Sequence, residues 1–339
     1  MLTREVKIRN IKLGEENRVV VQGMLKNPLN EPELLINEAK EMIRHGAEML
    51  RCAVPEEDCA VEVYNILKDT GVPLIADCHF QTKIALQSLA AGFDKVRVNP
   101  GNMSKDGIKE VIGLAVQKDA AIRFGFNTGS CDADTGEELA MLALEWDKWV
   151  KEQGFENFLI SMKSSSVIDT VDANRMFSIH SDTPLHIGIT ATGPFGQGII
   201  KSAAGLGSLL LDGVGATLRV SLTGDSVEEI KTGVMLREYV SGNPERLQVI
   251  SCPTCSRCRI DVRSLVDEFL EKISDEDLKI PHNIAIMGCE VNGPGEAKSC
   301  DIGICGTKKG GLFIKKGEVV KTLSSGEMIE VLIKELREL

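Results

Sequence analysis

The sequence predicts a (β/α)8 barrel followed by a small α+β domain. Three observations predict it. Short apolar runs alternate with amphipathic segments through the first 240 residues. The composition then shifts at SGNPE (241–245), a linker-like stretch. Beyond that shift lie six of the ten cysteines: Cys252, Cys255, Cys258, Cys289, Cys300 and Cys305.

The apolar runs fall at 19–22, 49–53, 73–77, 95–98, 121–126, 158–162, 184–189 and 217–221. Each is short and aliphatic or β-branched, as expected of strands buried on both faces. Between them lie helical patterns. Residues 31–45 put Leu34, Leu35, Ala39 and Met42 on one stripe, and 225–240 open with Asp-Ser and a Val-Glu-Glu turn. Eight such units fit a (β/α)8 barrel over residues 1–243. A doubly wound sheet would want a glycine-rich fingerprint after its first strand, and VVVQGMLKNP supplies none. Residues 244–339 form the second domain. It is expected to hold a strand at 248–251, a helix at 261–273, a strand at 284–287 and a Gly-rich loop. A hairpin turning at Gly317 and a terminal helix from about Ser325 complete it.

The formal charge is -11. A chain this acidic repels nucleic-acid phosphates at long range, so any anion site must be a local cluster. MLTREVKIRNIKLG lacks the apolar core of a signal peptide, and no run reaches the roughly 18 apolar residues of a spanning helix. The expectation is a soluble cytoplasmic protein with no membrane or nucleic-acid partner. Its cysteines are then thiols or metal ligands rather than disulfides.

In a barrel of this kind, function sits at the C-terminal ends of the strands. The residues there are Gln22, Arg51, Asp77 with His79, Arg97 with Asn99, Arg123 with Asn127, Lys163, Thr190, and Arg219 with Ser221. Five of these ends carry a cation. Converging cations repel one another unless an anion sits among them. Arginine suits bidentate phosphate recognition and lysine adds a point charge, so a diphosphate is the expected ligand. His79 can donate or act as an acid. His45, His180, His186 and His282 stand isolated and receive no role.

Cys252-Pro-Thr-Cys255 is a CxxC motif, open to a zinc, dithiol or iron–sulfur reading. Cys289 follows a strand in MGCEVNGPGE, where Gly and Pro let backbone N–H groups approach a cluster. Spacing proposes Cys252, Cys255, Cys289 and one of Cys258, Cys300 or Cys305. It does not choose among those three or separate zinc from iron, though the CxxCxxC run favours iron.

The segments SCPTCSR (251–257) and GCEVNGPGEA (288–297) closely resemble the 4-hydroxy-3-methylbut-2-enyl diphosphate synthase family of the methylerythritol phosphate route to isoprenoids. The resemblance continues through RCAVP (51–55), ADCHF (76–80), RVNPGN (97–102), IRFGFNTGS (122–130), PLHIGIT (184–190), KSAAGLG (201–207) and TLRVSL (217–222). The length resembles the short bacterial form. The resemblance implies a barrel and a ferredoxin-reductase-like domain with a 4Fe–4S cluster. Its ligands would be Cys252, Cys255, Cys289 and Glu296, a glutamate in place of a fourth cysteine. It implies a diphosphate pocket of Arg51, Asp77, His79, Arg97, Arg123, Asn127, Lys163, Arg219 and Ser221, with Glu296, His79 and Asn127 nearest the chemistry. It implies two-electron reductive opening of a cyclic diphosphate with loss of water, and flavodoxin or ferredoxin as donor. It also implies a homodimer in which one subunit's cluster domain closes over the other's barrel.

The sequence departs from the family pattern at 21–26 (VQGMLK), 81–83 (QTK), 163–166 (KSSS) and Ala191, where the family carries glutamate. A lost acid costs 10²–10⁴-fold in rate, so a paralogue acting on another phosphorylated substrate is the alternative expectation. A metal-binding or redox-sensing protein is a third, and the cationic barrel mouth argues against it.

Overall fold

The computed structural model describes residues 3–57, 59–78, 81–243, 245–274 and 276–339. It divides into two units, Met1–Val240 and Ser241–Leu339.

The first unit opens with a hairpin the sequence did not announce, β1 (Val6–Ile8) against β2 (Ile11–Leu13). Eight parallel strands follow: β3 (Val20–Met24), β4 (Met49–Ala53), β5 (Leu74–Asp77), β6 (Lys95–Val98), β7 (Ala121–Asn127), β8 (Phe158–Lys163), β9 (His186–Ile187) and β10 (Thr217–Leu218). They alternate with helices α1 (Pro32–Arg44), α2 (Cys59–Leu67), α3 (Thr82–Ala91), α4 (Lys105–Lys118), α5 (Gly136–Glu152), α6 (Val167–His180), α7 (Phe195–Leu211) and α8 (Ser226–Ser241). The sheet runs β8-β7-β6-β5-β4-β3-β10-β9, and a parallel bridge from Ile160 to Leu185 joins β8 to β9, closing the ring. Local chemistry sets the helix starts. Thr135 and Glu138 form a capping box on α5, and Ser104 and Ser166 cap α4 and α6.

Strand periodicity sorts the side chains into two sets. Leu50, Cys52, Ala76, Val96, Val98, Ile122, Phe124, Ile160 and Met162 pack in the large core that includes the helices. Val20, Met49, Ile75, Ala121 and Leu159 face inward and pack with Val6, Ile8 and Leu13 of the hairpin. The hairpin therefore plugs the N-terminal end of the barrel with apolar side chains. Two residues further along each strand the inward set turns polar: Gln22, Arg51, Asp77, Arg97, Arg123 and Ser161, with Lys163 two beyond Ser161. All seven are buried.

The second unit holds β11 (Gln248–Ser251), α9 (Val262–Lys272), β12 (Asn283–Met287), α10 (Gly293–Glu296), β13 (Ile302–Thr307), β14 (Gly310–Lys315), β15 (Glu318–Leu323) and α11 (Met328–Leu336). Its sheet is mixed: β11, β12 and β13 run parallel, then β13, β14 and β15 antiparallel. Asp261 caps α9, its side chain accepting from Ser264 N–H. The β14–β15 hairpin turns at Lys316 and Gly317, both at positive φ, as a tight two-residue connection requires. Phe269, Ile284, Ile286, Ile302, Ile304, Phe313, Leu332 and Leu336 form the core. Strand β13 is the element the sequence pattern missed: its glycines blend into the Gly-rich loop before it.

Candidate functional site

Strand parity brings the polar ends of the barrel strands to one cavity of about 360 Å³. Arg51, Asp77, Arg97, Arg123, Asn127, Lys163, Arg219 and Ser221 all line it, with Thr190, Ser161, Met24 and Ile189. His79 lies outside the described residues. Asn99 is buried but structural: its side chain donates to Ser130 Oγ at 3.0 Å and accepts from Gly101 N–H at 3.1 Å.

The cations are partly partnered. Asp77 lies between two guanidiniums, 3.7 Å from Arg51 Nε and 3.5 Å from Arg97 Nη1. Arg219 Nη2 donates to Glu229 at 3.2 Å; Glu229 also accepts from Lys26 Nζ at 2.9 Å and Leu222 N–H at 2.7 Å. With its amide turned so that both atoms are satisfied, Asn127 accepts from Arg97 Nη2 at 3.3 Å. Arg123 is 2% exposed, and its Nε and Nη1 find no hydrogen-bond partner among the described residues. Burial and the neighbouring guanidiniums of Arg51 and Arg97 press its charge well below the usual arginine range. Buried donors without acceptors are costly, and an anion between them removes the cost.

Two glycines give these side chains room. A Cβ on Gly125 would stand 2.8 Å from Arg97 Nε, and one on Gly188 would stand 2.6 Å from Lys163 Nζ. Sequence reasoning missed His186. It is fully buried, with Nε2 3.1 Å from Lys163 Nζ and Nδ1 2.7 Å from Thr217 Oγ1. Its partners lie 23 and 31 positions away, so only strand adjacency reveals the group. Lys95 was missed as well, because it begins an apolar run; fully buried, it donates to Gln22 Oε1 at 3.3 Å. Ala191 is exposed, at φ 50° just beyond β9, and is not among the residues lining the cavity.

In the second unit a cavity of about 180 Å³ is lined by Cys252, Cys255, Cys289 and Glu296, together with Arg257, Gly288 and Asn292. Cys258, Cys300 and Cys305 do not line it. Backbone N–H groups of Asn292, Val291 and Gly293, with Arg257 nearby, pull the Cys289 thiol below the usual cysteine value. Burial pushes Cys258 and Cys300 up, and burial together with Cys289 and Cys252 pushes Cys305 up to about 12. Of these four, only Cys289 is shifted toward the thiolate that a metal takes. Gly288 N–H donates to Cys252 Sγ at 3.2 Å, and a Cβ there would fall within 3.1 Å of that sulfur and 2.0 Å from Cys258 Sγ. Gly288 thus lets backbone approach the thiolate site closely.

Among the described residues no three His, Cys, Asp or Glu side chains converge on a single ion. A multi-iron cluster holds its ligands on separate corners, further apart than one ion does. Three thiols and a carboxylate around one cavity, with N–H donors aimed at sulfur, fit such a cluster better than a closed tetrahedral zinc site.

Two family models match the chain. The GcpE TIM-barrel domain covers residues 3–234 and the GcpE protein C-terminal domain covers 248–338. Curated relatives named 4-hydroxy-3-methylbut-2-en-1-yl diphosphate synthase (flavodoxin) are similar over the whole length. The protein from Caldanaerobacter subterraneus is 40% identical over 100% of this chain and 97% of its own. Those from Persephonella marina and Clostridium perfringens are 40% and 39% identical, each over 98% of this chain and 97% of theirs. Among solved structures, dihydropteroate synthase from Stenotrophomonas maltophilia superposes with a TM-score of 0.55 at 13% identity, over 71% of this chain and 98% of that one. Type I 3-dehydroquinate dehydratase from Clostridium difficile gives 0.52 at 17%, over 70% of this chain and 98% of that one. Both speak to the barrel fold alone.

Proposed function

The chain belongs to the GcpE family, and from that membership we infer that it reduces 2-C-methyl-D-erythritol 2,4-cyclodiphosphate to 4-hydroxy-3-methylbut-2-enyl diphosphate in isoprenoid biosynthesis. Two electrons and one proton enter. The ring carbon–oxygen bond to phosphate breaks, the oxygen stays on phosphorus, and a hydroxyl departs as water. The ligand goes from a dianion to a trianion as the ring opens.

The observation that carries this reading is the barrel mouth, where four arginines and one lysine surround a cavity whose only carboxylate lining is Asp77 among the described residues. Arg51, Arg97, Arg123, Lys163 and Arg219 bind the diphosphate, with Asn127 and Ser221 as hydrogen-bond partners. With the ligand bound, their charges favour the anion most once the ring has opened, which lowers the barrier rather than merely tightening the ground state. Asp77 keeps Arg51 and Arg97 apart in one geometry. His79 follows that strand as the proton donor.

Cys252, Cys255, Cys289 and Glu296, which line one cavity, would hold a 4Fe–4S cluster. Such a cluster would supply electrons one at a time from flavodoxin or ferredoxin, and a carboxylate is a more labile ligand to iron than a thiolate. Cys255 and Glu296 are exposed in their own unit, so a homodimer with one subunit's cluster domain over its partner's barrel would exclude water from the reaction. The setting is cytoplasmic, in keeping with ten free cysteines.

The test is turnover of the cyclodiphosphate by anaerobically prepared protein with reduced flavodoxin. Formation of the allylic diphosphate, dependent on the donor, is expected. Tight binding of the cyclodiphosphate by iron-loaded, reduced protein without product would contradict it.

A further inference from the structure

The barrel mouth collects Arg51, Arg97, Arg123, Lys163 and Arg219 from five strands. Arginine does not give up its proton in a protein; lysine can. When no anion is present, Lys163 is therefore the one member of the set able to relieve the repulsion by losing charge. It is 9% exposed, its Nζ contacts His186 Nε2 at 3.1 Å, and among the described residues no carboxylate forms an ion pair with it. His186 is fully buried, and its other nitrogen contacts Thr217 Oγ1 at 2.7 Å.

We propose that Lys163, His186 and Thr217 form a relay holding one proton fewer when the mouth is empty than when the diphosphate fills it, with His186 as the positioning residue that keeps the Lys163 nitrogen in place in both states. The proposal rests on the cyclodiphosphate reading of the mouth.

The chain of three groups satisfies either charge state. With a neutral Lys163, His186 carries its proton on Nε2 and donates to the lysine lone pair; Nδ1 accepts from the Thr217 hydroxyl. With a charged Lys163, the ammonium donates to Nε2, the ring proton moves to Nδ1, and Nδ1 donates to the same hydroxyl. A hydroxyl can both donate and accept, so Thr217 serves both tautomers. Serine or threonine meets that demand; an amide or carboxylate at this place would fix the tautomer.

The surroundings set the sign. Facing Lys163 and His186 from the packed elements are Arg51 on β4, Asp77 on β5, Lys95 and Arg97 on β6, Arg123 on β7, Arg219 just after β10 and, behind Arg219, Glu229 on α8. Cations outnumber carboxylates among these described groups. Burial, then Arg123, Arg51, Arg219 and Arg97, hold Lys163 well below the usual lysine range. Burial, then Lys163 and Arg123, do the same to His186. An incoming dianion reverses the field at Lys163 and recruits a proton from solvent. The ammonium is then in place before the ring-opened product adds its further charge.

The test uses the anaerobically purified full chain, without reductant, so that the ligand binds but is not consumed. Each phosphorus of the cyclodiphosphate carries one strongly acidic oxygen, so the ligand brings no proton near neutral pH. Calorimetric titration at pH 8 in buffers of different ionisation enthalpy is expected to report net proton uptake on binding. In ¹⁵N-histidine spectra, the signal absent from His186→Gln is expected to exchange its protonated nitrogen from Nε2 to Nδ1 on binding. Binding without proton uptake, or a His186 ring with the same nitrogen protonated in both states, would overturn the relay and leave the substrate reading intact. Failure of the cyclodiphosphate to bind would overturn the substrate reading and the relay together.

Discussion

At Cys289 three backbone N–H groups lower the thiol, while Cys258, Cys300 and Cys305 are pushed the other way. That contrast sets Cys289 apart from the three cysteines that do not line the cavity. Cys252→Ser, Cys255→Ser and Cys289→Ser are each expected to lose the iron and its visible absorption, and Cys258→Ser to keep both. Bleaching of Cys258→Ser would reassign the ligands. Arg123 makes the opposite kind of statement, a residue costly to the empty fold. Arg123→Met removes a buried guanidinium from beside Arg51 and Arg97 and should stabilise the empty chain by roughly 1–3 kcal/mol in urea unfolding. It should also weaken cyclodiphosphate binding by about 10–100-fold, the worth of charge-assisted hydrogen bonds. The mouth cations were legible because each interrupts the end of an apolar run. His186 was not, because it sits inside PLHIGIT, where a lone histidine looks like core. Glu296, which lines the cysteine cavity, was singled out only through family resemblance, since no spacing rule selects it.

At the scale of the element, the barrel strands carry one message. Parity sends alternate residues inward, and the inward set changes from apolar to charged within two positions of the chain. Eight apolar runs were enough to read the barrel, because strands buried on both faces leave that pattern. The β1–β2 plug was not, since strands of three residues show no period. Within β7, Gly125 is what lets Arg97 lie across the mouth. Gly125→Ala places a methyl against the end of that side chain and not against backbone. The expected result is a KM for the cyclodiphosphate raised about tenfold with the melting temperature little changed. An unchanged KM would mean that Arg97 binds no substrate.

For the whole molecule, the buried bases couple stability to pH. Lys95 and Lys163 are held well below the usual lysine value and His186 well below that of histidine, burial being the first cause in each case. The unfolded chain therefore binds protons that the folded chain does not. Stability rises with pH wherever this holds, by about 1.4 kcal/mol per pH unit for each such proton. The empty protein should accordingly melt higher at pH 8 than at pH 6.5, and the cyclodiphosphate should flatten that slope by returning a proton to the fold. Above about pH 8.5 the unfolded cysteines ionise and oppose the trend, because Cys78 and Cys305 are pushed up to about 12 in the folded chain. The acidic whole, at -11, and the cationic mouth are thus compatible: the mouth is a local excess, tolerable because part of it can discharge.

The proposed chemistry needs an iron–sulfur centre with a single carboxylate corner acting on a bound diphosphate. The Mössbauer spectrum of anaerobic, ⁵⁷Fe-reconstituted protein tests it most directly. One iron distinct from the other three is predicted, and the cyclodiphosphate should alter the parameters of that iron alone. Four equivalent irons unmoved by the ligand, or a chain that takes up no iron, would contradict it.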